Sequence, residues 1–165
     1  TSITCSTVNS YNGLVPRVGG FEGGTVTWAP TNITYGHNNR SAQFRLPQNR
    51  YCIENRAADM TMNVYLAFSM TLAAAVEGIK MKIHPGKPTD QDLYEMTDKE
   101  FKKLGIKRLP RNLLMALEAL KNDKLSDEVI GTVMKKSLLA YKNDEWERYH
   151  QAVTDWEVKE YLRLY

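Results

Sequence analysis

Residues 61–83 form the most apolar long segment of this 165-residue chain. Their apolar side chains recur on nearly every side of a helix instead of along one stripe, and a helix of that kind is typical of a protein interior. The segment also contains Asn63, Glu77, Lys80 and Lys82, which leave a clean apolar run much shorter than the roughly 20 residues that a membrane-spanning helix needs. Residues 61–83 are therefore predicted to form a buried helix, and a membrane span is excluded.

Two short strands are predicted before this helix, at residues 41–46 and 51–56. Side chains alternate between the two faces of a strand. The side chain of Arg45 is therefore on one face of the first strand, and the apolar side chains of that strand are on the other face. Glu54 and Arg56 share one face of the second strand. The residues between the strands, PQN, are typical of a turn. An antiparallel pair joined by this turn would place Arg45 close to Glu54 and Arg56.

The charged residues of this hairpin favour an anion-binding site. Four arginines and one glutamate occur between residues 40 and 56, and the planar guanidinium group suits bidentate recognition of phosphate and carboxylate. Such a cluster is typical of a site for polyphosphate and a metal ion. The alternative is a solvated sheet face with ordinary ion pairs, which are common and contribute little stability.

The overall composition is that of a globular protein with one core. The chain is 42% hydrophobic, and its 22 basic against 19 acidic residues give a net charge of +3. That excess is too small for a nucleic-acid-binding protein, and the basic stretch at residues 99–111 is predicted to be a solvated helix face. The chain has two cysteines, Cys5 and Cys52, and both are predicted to be free thiols in a cytoplasmic protein. No base is placed beside Cys52, which is therefore predicted to be a packed thiol and not a nucleophile.

Capping patterns predict where several further helices begin. Thr97 with Glu100, and Thr154 with Glu157, are spaced as capping boxes, in which the threonine and the glutamate each satisfy a backbone N–H of the first turn. Ser126 precedes two acidic residues and is predicted to begin a third helix.

Several motifs occur in the order that is found in the glutamine synthetase family. The motifs are NSYNGLVP, NNRSAQFRLP, IENR, AADMTMNVYLAF, GIKMKIHPGKP and DWEVKEYL. From about Asn9 to Tyr165 the chain resembles the second half of that family's catalytic domain. The resemblance implies an α+β fold, with a small antiparallel sheet portion packed on helices. It also implies a flap and phosphate-binding hairpin at about 9–56, a helical part at about 60–165, and an apolar helix that backs the sheet.

The resemblance assigns a role to each matching residue. Arg40 matches the arginine that neutralises the γ-phosphate during transfer, and Arg45 matches one that contacts the nucleotide phosphates. Glu54 matches a ligand of the metal, Mg²⁺ or Mn²⁺, that bridges the ATP phosphates. Arg56 matches the arginine that meets the substrate glutamate. Glu22 matches the flap glutamate that shields the reactive intermediate and helps to deprotonate the incoming ammonium.

The chain departs from the family pattern at two arginine positions. Gly13 stands where the family usually has an arginine before LVP, and Arg17 is a candidate replacement for contact with the substrate α-carboxylate. Cys52 stands where the family has an arginine two residues before the metal ligand, and Arg50 is a candidate replacement for contact with phosphate.

The reaction implied is the ATP-dependent joining of glutamate to an amine through a γ-glutamyl phosphate. The long GGFEGG flap and the sequence TVTWAPTNITYGHNNRSA are most similar to the glutamate–methylamine ligases of the family, so methylamine is the first choice of amine. The alternatives are an ordinary glutamine synthetase that uses ammonium, and a non-catalytic fragment or assembly module.

The resemblance also implies partners. The family's other metal ligands, a Glu-x-Glu pair and a His-x-His strand, lie upstream of the matching region. The chain is therefore expected to be a C-terminal part that is inactive without the N-terminal part of the same protein. A homo-oligomeric ring is implied as well, whereas neither a nucleic acid nor a membrane is expected as a partner.

Overall fold

The structure is a computed structural model that describes residues 1–20 and 25–164. A 3₁₀ helix, Val8–Leu14, lies near the N-terminus. The strands are β1 (Arg17–Gly20), β2 (Thr25–Thr27), β3 (Asn32–His37), β4 (Ala42–Leu46), β5 (Glu54–Asn55) and β6 (Lys107–Arg108). The helices are α1 (Val64–Lys80), α2 (Asp98–Leu104), α3 (Leu113–Lys121), α4 (Lys124–Ile130), α5 (Thr132–Gln151) and α6 (Asp155–Tyr161).

The strands of the described residues form two sheets. The first is the antiparallel hairpin of β1 and β2, in which Arg17 pairs with Thr27. The second has the strand order β5-β4-β3-β6. In it β4 and β5 are antiparallel, β3 and β6 are antiparallel, and β3 and β4 are parallel. The predicted α+β class is confirmed, but the larger sheet is mixed, whereas an antiparallel one was expected.

An unusually short connection joins the parallel strands β3 and β4. Parallel strands ordinarily need a crossover of about a dozen residues or more, whereas only residues 38–41 separate these two. The connection begins at Asn38, whose φ of 57° lies in the left-handed region that asparagine tolerates better than most residues. The chain then returns to the start of β3, so that Asn32 pairs with Ala42. The sequence pattern does not distinguish this return from an antiparallel hairpin.

Two of the three predicted helix starts are confirmed. The hydroxyls of Thr97 and Thr154 each accept a hydrogen bond from the backbone N–H three residues later, and both capping boxes are complete. Helix α4 begins earlier than expected, because the carboxylate of Asp123 accepts a hydrogen bond from the N–H of Leu125 and caps it. Ser126 lies inside α4 and is buried, so the prediction that it begins a helix is wrong.

Within the described residues, the buried apolar side chains form three clusters that link the helices to the N-terminal residues and the sheet. The largest cluster joins the N-terminal segment to α3, and α5 packs against it. A second cluster lies between α1 and the helices after residue 113. The third packs the start of β4 on α2. The buried members of the largest cluster are Cys5, Tyr11, Leu14, Ala57, Leu109, Leu113, Ala116 and Leu117.

Only one face of helix α1 is covered by other described parts of the protein. Ala67 is buried against Ile3 and Leu120, and the main helix partner of α1 is α4. The opposite face carries an exposed stripe of side chains three or four residues apart, namely Tyr65, Phe68, Leu72, Val76 and Ile79. The prediction that this helix is buried is therefore wrong for the described residues. The hydropathy of the sequence shows that both faces of α1 are apolar. It does not show which of the two faces packs against the rest of the protein.

Within residues 1–20 and 25–164, no helix is both long enough and apolar enough to cross a membrane.

Leu113 offers a test of the largest cluster. Its exposed fraction is 0%, so replacement by alanine would leave a cavity. We expect Leu113→Ala to lower the free energy of unfolding by about 2–5 kcal/mol. The matched control is Leu104→Ala, because Leu104 is 55% exposed and its truncation should change the free energy of unfolding by less than about 1 kcal/mol. Equal effects in urea titrations of the two variants would contradict this description of the core.

Candidate functional site

The hairpin of β4 and β5 brings Arg45 directly opposite Glu54. Nη1 of Arg45 donates hydrogen bonds of 3.0 Å to both carboxylate oxygens of Glu54. Arg50, from the turn, also donates to Oε1 of Glu54. The side chain of Arg45 is 17% exposed and that of Arg50 is 60% exposed, so the inner ion pair is the better shielded one. The predicted approach of Arg45 to Glu54 is confirmed.

The carboxylate of Glu54 is ionised at neutral pH. The hydrogen bonds from Arg45 are the main reason that the pKa of Glu54 lies below its ordinary value. Partial burial acts in the opposite direction, and the contact with Arg50 lowers the pKa further. Hydrogen bonds to an ionised group favour that form over the protonated one. The site therefore presents one negative group held between two guanidinium groups.

Arg40 projects from a loop that is fixed on both sides of it by side-chain hydrogen bonds. The amide nitrogen of Asn39 donates to the carbonyl oxygens of Thr89 at 2.6 Å and Gln91 at 3.0 Å. Its amide oxygen accepts from the N–H of Ser41 at 2.9 Å and from the hydroxyl of Ser41 at 2.7 Å. The side chain of Arg40 is exposed and makes no ion pair within the described residues.

Arg56 lies beside Arg40 and binds backbone carbonyls. Its Nε donates to the carbonyl oxygen of Arg40, and its Nη2 donates to that of Trp28, both at 3.0 Å. Burial lowers the pKa of Arg56, the charges of Arg40 and Arg45 act in the same direction, and the charge of Glu54 opposes them. Arginine remains protonated despite such shifts. Because its partners are neutral oxygens, Arg56 keeps a positive charge that no direct ion pair cancels among the described residues.

Trp28 lines two open clefts in the described part of the structure. The smaller, of about 300 Å³, is also lined by Arg40, Asp90 and Asp92. The larger, of about 520 Å³, contains Asp59 among mostly neutral residues. Trp28 is 46% exposed and borders both clefts. The smaller cleft thus combines the guanidinium group of Arg40 with two carboxylates, and the larger one contains the carboxylate of Asp59.

Sequence reasoning missed several residues that shape this region. Asp90 accepts from the N–H of His37 at 2.5 Å, and its other oxygen lies 3.2 Å from Nδ1 of His37. Burial raises the pKa of Asp90, but the hydrogen bonds from His37 outweigh it and the net pKa is lowered. Tyr94 and Asn39 were missed as well. All of them act across 50 or more residues, and no local pattern signals such contacts.

Two expected residues of the flap region, Glu22 and Arg17, are not fully described. Glu22 lies outside the described residues. Arg17 is the first residue of β1, but its side chain is outside the described part of the structure. Gly13 lines the larger cleft and is exposed, with open space where a Cβ would stand. The replacement of the missing arginine by Arg17 stays a prediction.

Glu54 fits a hard metal ion as one ligand of several. Carboxylate oxygens are the donors that Mg²⁺ and Mn²⁺ prefer, and both oxygens of Glu54 are positioned by hydrogen bonds. Within residues 1–20 and 25–164, no three His, Cys, Asp or Glu side chains are grouped closely enough to hold a metal.

The two cysteines differ in accessibility. Cys5 is buried and its thiol donates to the carbonyl oxygen of Ala57 at 3.3 Å. Cys52 is exposed, so the prediction that it is a packed thiol is wrong. The reason is that β5 begins at Glu54, and residues 51–53 lie in the loop before it.

The comparisons with known proteins agree over almost the whole chain. The family model described as glutamine synthetase, catalytic domain, matches residues 1–161. A glutamine synthetase of Methanococcus maripaludis is 39% identical over 99% of this chain and 35% of its own length. A glutamate–methylamine ligase of Methyloversatilis universalis is 41% identical over 99% of this chain and 36% of its own length. The chain thus spans about a third of the length of these relatives.

Solved structures show the same similarity. One described as a GmaS/ADP complex is 33% identical, with a TM-score of 0.79, over 98% of this chain and 36% of that chain. A glutamine synthetase of Plasmodium falciparum is 21% identical, with a TM-score of 0.76, over 97% of this chain and 38% of that chain. At that lower identity the second likeness shows the fold alone.

The ion pairs of Glu54 should make stability depend on pH. The pKa of Glu54 is lowered in the folded protein, while the unfolded value is about 4.3. The stabilisation is therefore present above about pH 4.3 and is lost as the pH falls through the folded pKa. We expect Glu54→Gln to destabilise the protein at about pH 7, and the difference from the unsubstituted protein to shrink as the pH falls below about 4.3.

The measurement is urea unfolding of both proteins at several pH values. The control is Glu118→Gln, because Glu118 is exposed and makes no ion pair within the described residues. A loss from Glu54→Gln that is independent of pH would show that its ion pairs do not stabilise the fold.

The cysteines should react at different rates with iodoacetamide. Burial raises the pKa of Cys5 to about 11, and the thiolate is the reactive form. We expect Cys52 to be alkylated at about pH 8 while Cys5 stays unmodified, as read by mass spectrometry of peptides. Urea-unfolded protein, in which both cysteines should react, is the control. Alkylation of Cys5 in the folded protein as fast as of Cys52 would contradict its burial.

Proposed function

The chain belongs to the glutamine synthetase family, and on that premise we propose that it is the phosphate-handling part of an ATP-dependent ligase that joins glutamate to an amine. One observation carries the proposal. The β4–β5 hairpin sets Arg45 against an ionised Glu54, and Arg56 bonds to the backbone of Arg40 beside it. Several positive groups are thereby assembled in one region, and transfer of a phosphoryl group requires positive charge around the phosphoryl oxygens.

In the first step of the proposed reaction, an oxygen of the glutamate side-chain carboxylate attacks the γ-phosphorus of ATP. The bond to the β–γ bridging oxygen breaks, and ADP leaves. Negative charge spreads over the phosphoryl oxygens in the transition state. Arg40 suits their neutralisation because its side chain is exposed and makes no ion pair within the described residues. Arg45 and Arg50 would bind the remaining phosphate oxygens.

In the second step the amine nitrogen attacks the carbonyl carbon of the γ-glutamyl phosphate. The carbon–oxygen bond to phosphate breaks, and the nitrogen loses a proton. In the proposal Glu22 helps to accept that proton and excludes water from the acyl phosphate. Arg56, and Arg17 in place of the family arginine, would hold the carboxylates of the substrate glutamate.

A divalent cation, Mg²⁺ or Mn²⁺, would supply further neutralisation of the phosphate oxygens when it is bound. Glu54 would contribute one oxygen ligand to it. Since both oxygens of Glu54 are engaged by arginines, Arg45 and Arg50 would transfer part of their hydrogen bonding to the phosphates.

Methylamine is the proposed amine. The identities do not separate the amines, because glutamine synthetases at 39% and 41% and a glutamate–methylamine ligase at 41% match almost equally well. The preference rests on the flap sequence GGFEGG and the sequence that follows it. Ammonium is the second candidate. The proposal includes a homo-oligomeric ring in the cytoplasm, with the flap and phosphate hairpin at 9–56 and the helical part at 60–165.

Arg40 and Arg45 provide the test of this proposal. We expect Arg40→Ala to lower kcat by about 10²–10³-fold, because one preorganised group that stabilises charge in the transition state is removed. Arg45→Ala should lower turnover as well, because it removes the more buried of the two arginines that pair with Glu54. The assay measures phosphate release from MgATP and glutamate, with methylamine, ammonium or no amine, in the natural protein that contains these residues.

The matched control is Arg111→Ala, since Arg111 is an exposed arginine outside the hairpin and its loss should leave turnover unchanged. Turnover that is stimulated by methylamine more than by ammonium would support the choice of amine. If Arg40→Ala and Arg45→Ala retain full turnover, the hairpin is not the phosphate site. If the unsubstituted protein shows no turnover with any amine, the non-catalytic assembly module is the better interpretation.

A further inference from the structure

Tyr94 makes an unusual bridge to a distant residue. Its hydroxyl donates to the carbonyl oxygen of Ala29 at 2.5 Å and accepts from the N–H of the same residue at 2.6 Å. The ring of Tyr94 stacks on the ring of Trp28, with centroids 5.8 Å apart and planes 28° apart. One side chain thus holds both the backbone of Ala29 and the side chain of Trp28.

These two residues lie where the β1–β2 hairpin ends. The last residue of β2 is Thr27, so Trp28 and Ala29 are the first residues after the hairpin. Ala29 is buried, with an exposed fraction of 4%. A hydrogen-bonded and buried backbone at this position fixes the direction from which the hairpin leaves the rest of the protein.

Arg56 holds the same short segment from the opposite side. Its Nη2 donates to the carbonyl oxygen of Trp28, one residue before the position that Tyr94 holds. Its Nε binds the carbonyl of Arg40. The orientation of the Arg56 guanidinium group therefore depends on where the Trp28 carbonyl stands, and that carbonyl is adjacent to Ala29.

The phenol of Tyr94 is suited to a permanent bridge. Partial burial raises the pKa of Tyr94 above its ordinary value, so the hydroxyl keeps its proton and remains a donor at neutral pH. A charged side chain at this place would have to lose hydration, whereas the phenol satisfies one donor and one acceptor of the same residue.

We propose that Tyr94 is a positioning residue for glutamate binding: its hydroxyl holds Ala29, and through the Trp28 carbonyl it fixes the guanidinium group of Arg56. The inference rests on the proposed function, in which Arg56 meets the substrate glutamate. Tyr94 itself is not placed against the reacting atoms. Its loss should therefore affect the binding of glutamate more than the chemical step or the binding of ATP.

The test compares Tyr94→Phe with Tyr35→Phe. The first removes the hydroxyl and keeps the stacked ring. Tyr35→Phe is the matched control, because the hydroxyl of Tyr35 also donates to a backbone carbonyl, that of Gly86 at 3.1 Å. We expect amide hydrogen exchange at Ala29 to become roughly fivefold faster in Tyr94→Phe and to stay unchanged in Tyr35→Phe. Equal exchange at Ala29 in the two variants would overturn the inference.

Kinetics in the natural protein separate positioning from general destabilisation. Tyr94→Phe should raise KM for glutamate roughly three- to tenfold, with kcat and KM for MgATP changed less than about twofold. An equal rise of KM for both substrates, or none for glutamate, would overturn the positioning role. If the unsubstituted protein shows no ligase activity, the proposed function fails. The hydrogen-exchange measurement needs no turnover, so it would still decide whether Tyr94 holds Ala29.

Discussion

The side chain of Asn39 makes possible the short return between the parallel strands β3 and β4. Its amide uses two donors on the carbonyls of Thr89 and Gln91 and accepts twice from Ser41. Strand β3 also approaches the backbone of Thr89 closely. This approach needs Gly36, because a Cβ there would lie 2.3 Å from the carbonyl oxygen of Thr89. The contacts of Asn39 fix the loop that carries Arg40 and leads into β4.

The charges of the site are arranged so that they are only partly cancelled. Arg45 and Arg50 share the carboxylate of Glu54, whereas Arg56 binds neutral carbonyl oxygens. A hydrogen bond to a carbonyl fixes the direction of a guanidinium group without neutralising it. The region thus combines positions that are well ordered with a positive charge that remains available to an anion.

The β4–β5 hairpin and the capping boxes were predictable because their determinants lie close together in the sequence. Alternation along two strands placed Arg45 opposite Glu54, and the spacing of Thr97 and Glu100 was enough to begin α2. The parallel pairing of β3 and β4 was not predictable, since a connection of this length ordinarily joins antiparallel strands. The apolar stripe of α1 marks a similar limit, because hydropathy does not report which neighbour covers a face.

The sequence by itself determined the family, the α+β class and the residue types of the proposed phosphate site, because motif order and periodicity are properties of neighbouring residues. The tertiary structure decided which of those residues meet and what holds them. Tyr94 reaches Ala29 across 65 positions of the chain, and Asn39 reaches Thr89 across 50. The physical reason is that such hydrogen bonds depend on where distant loops come together in the folded chain. A residue type fixes the donors and acceptors of a side chain, but it does not fix the partner that they meet.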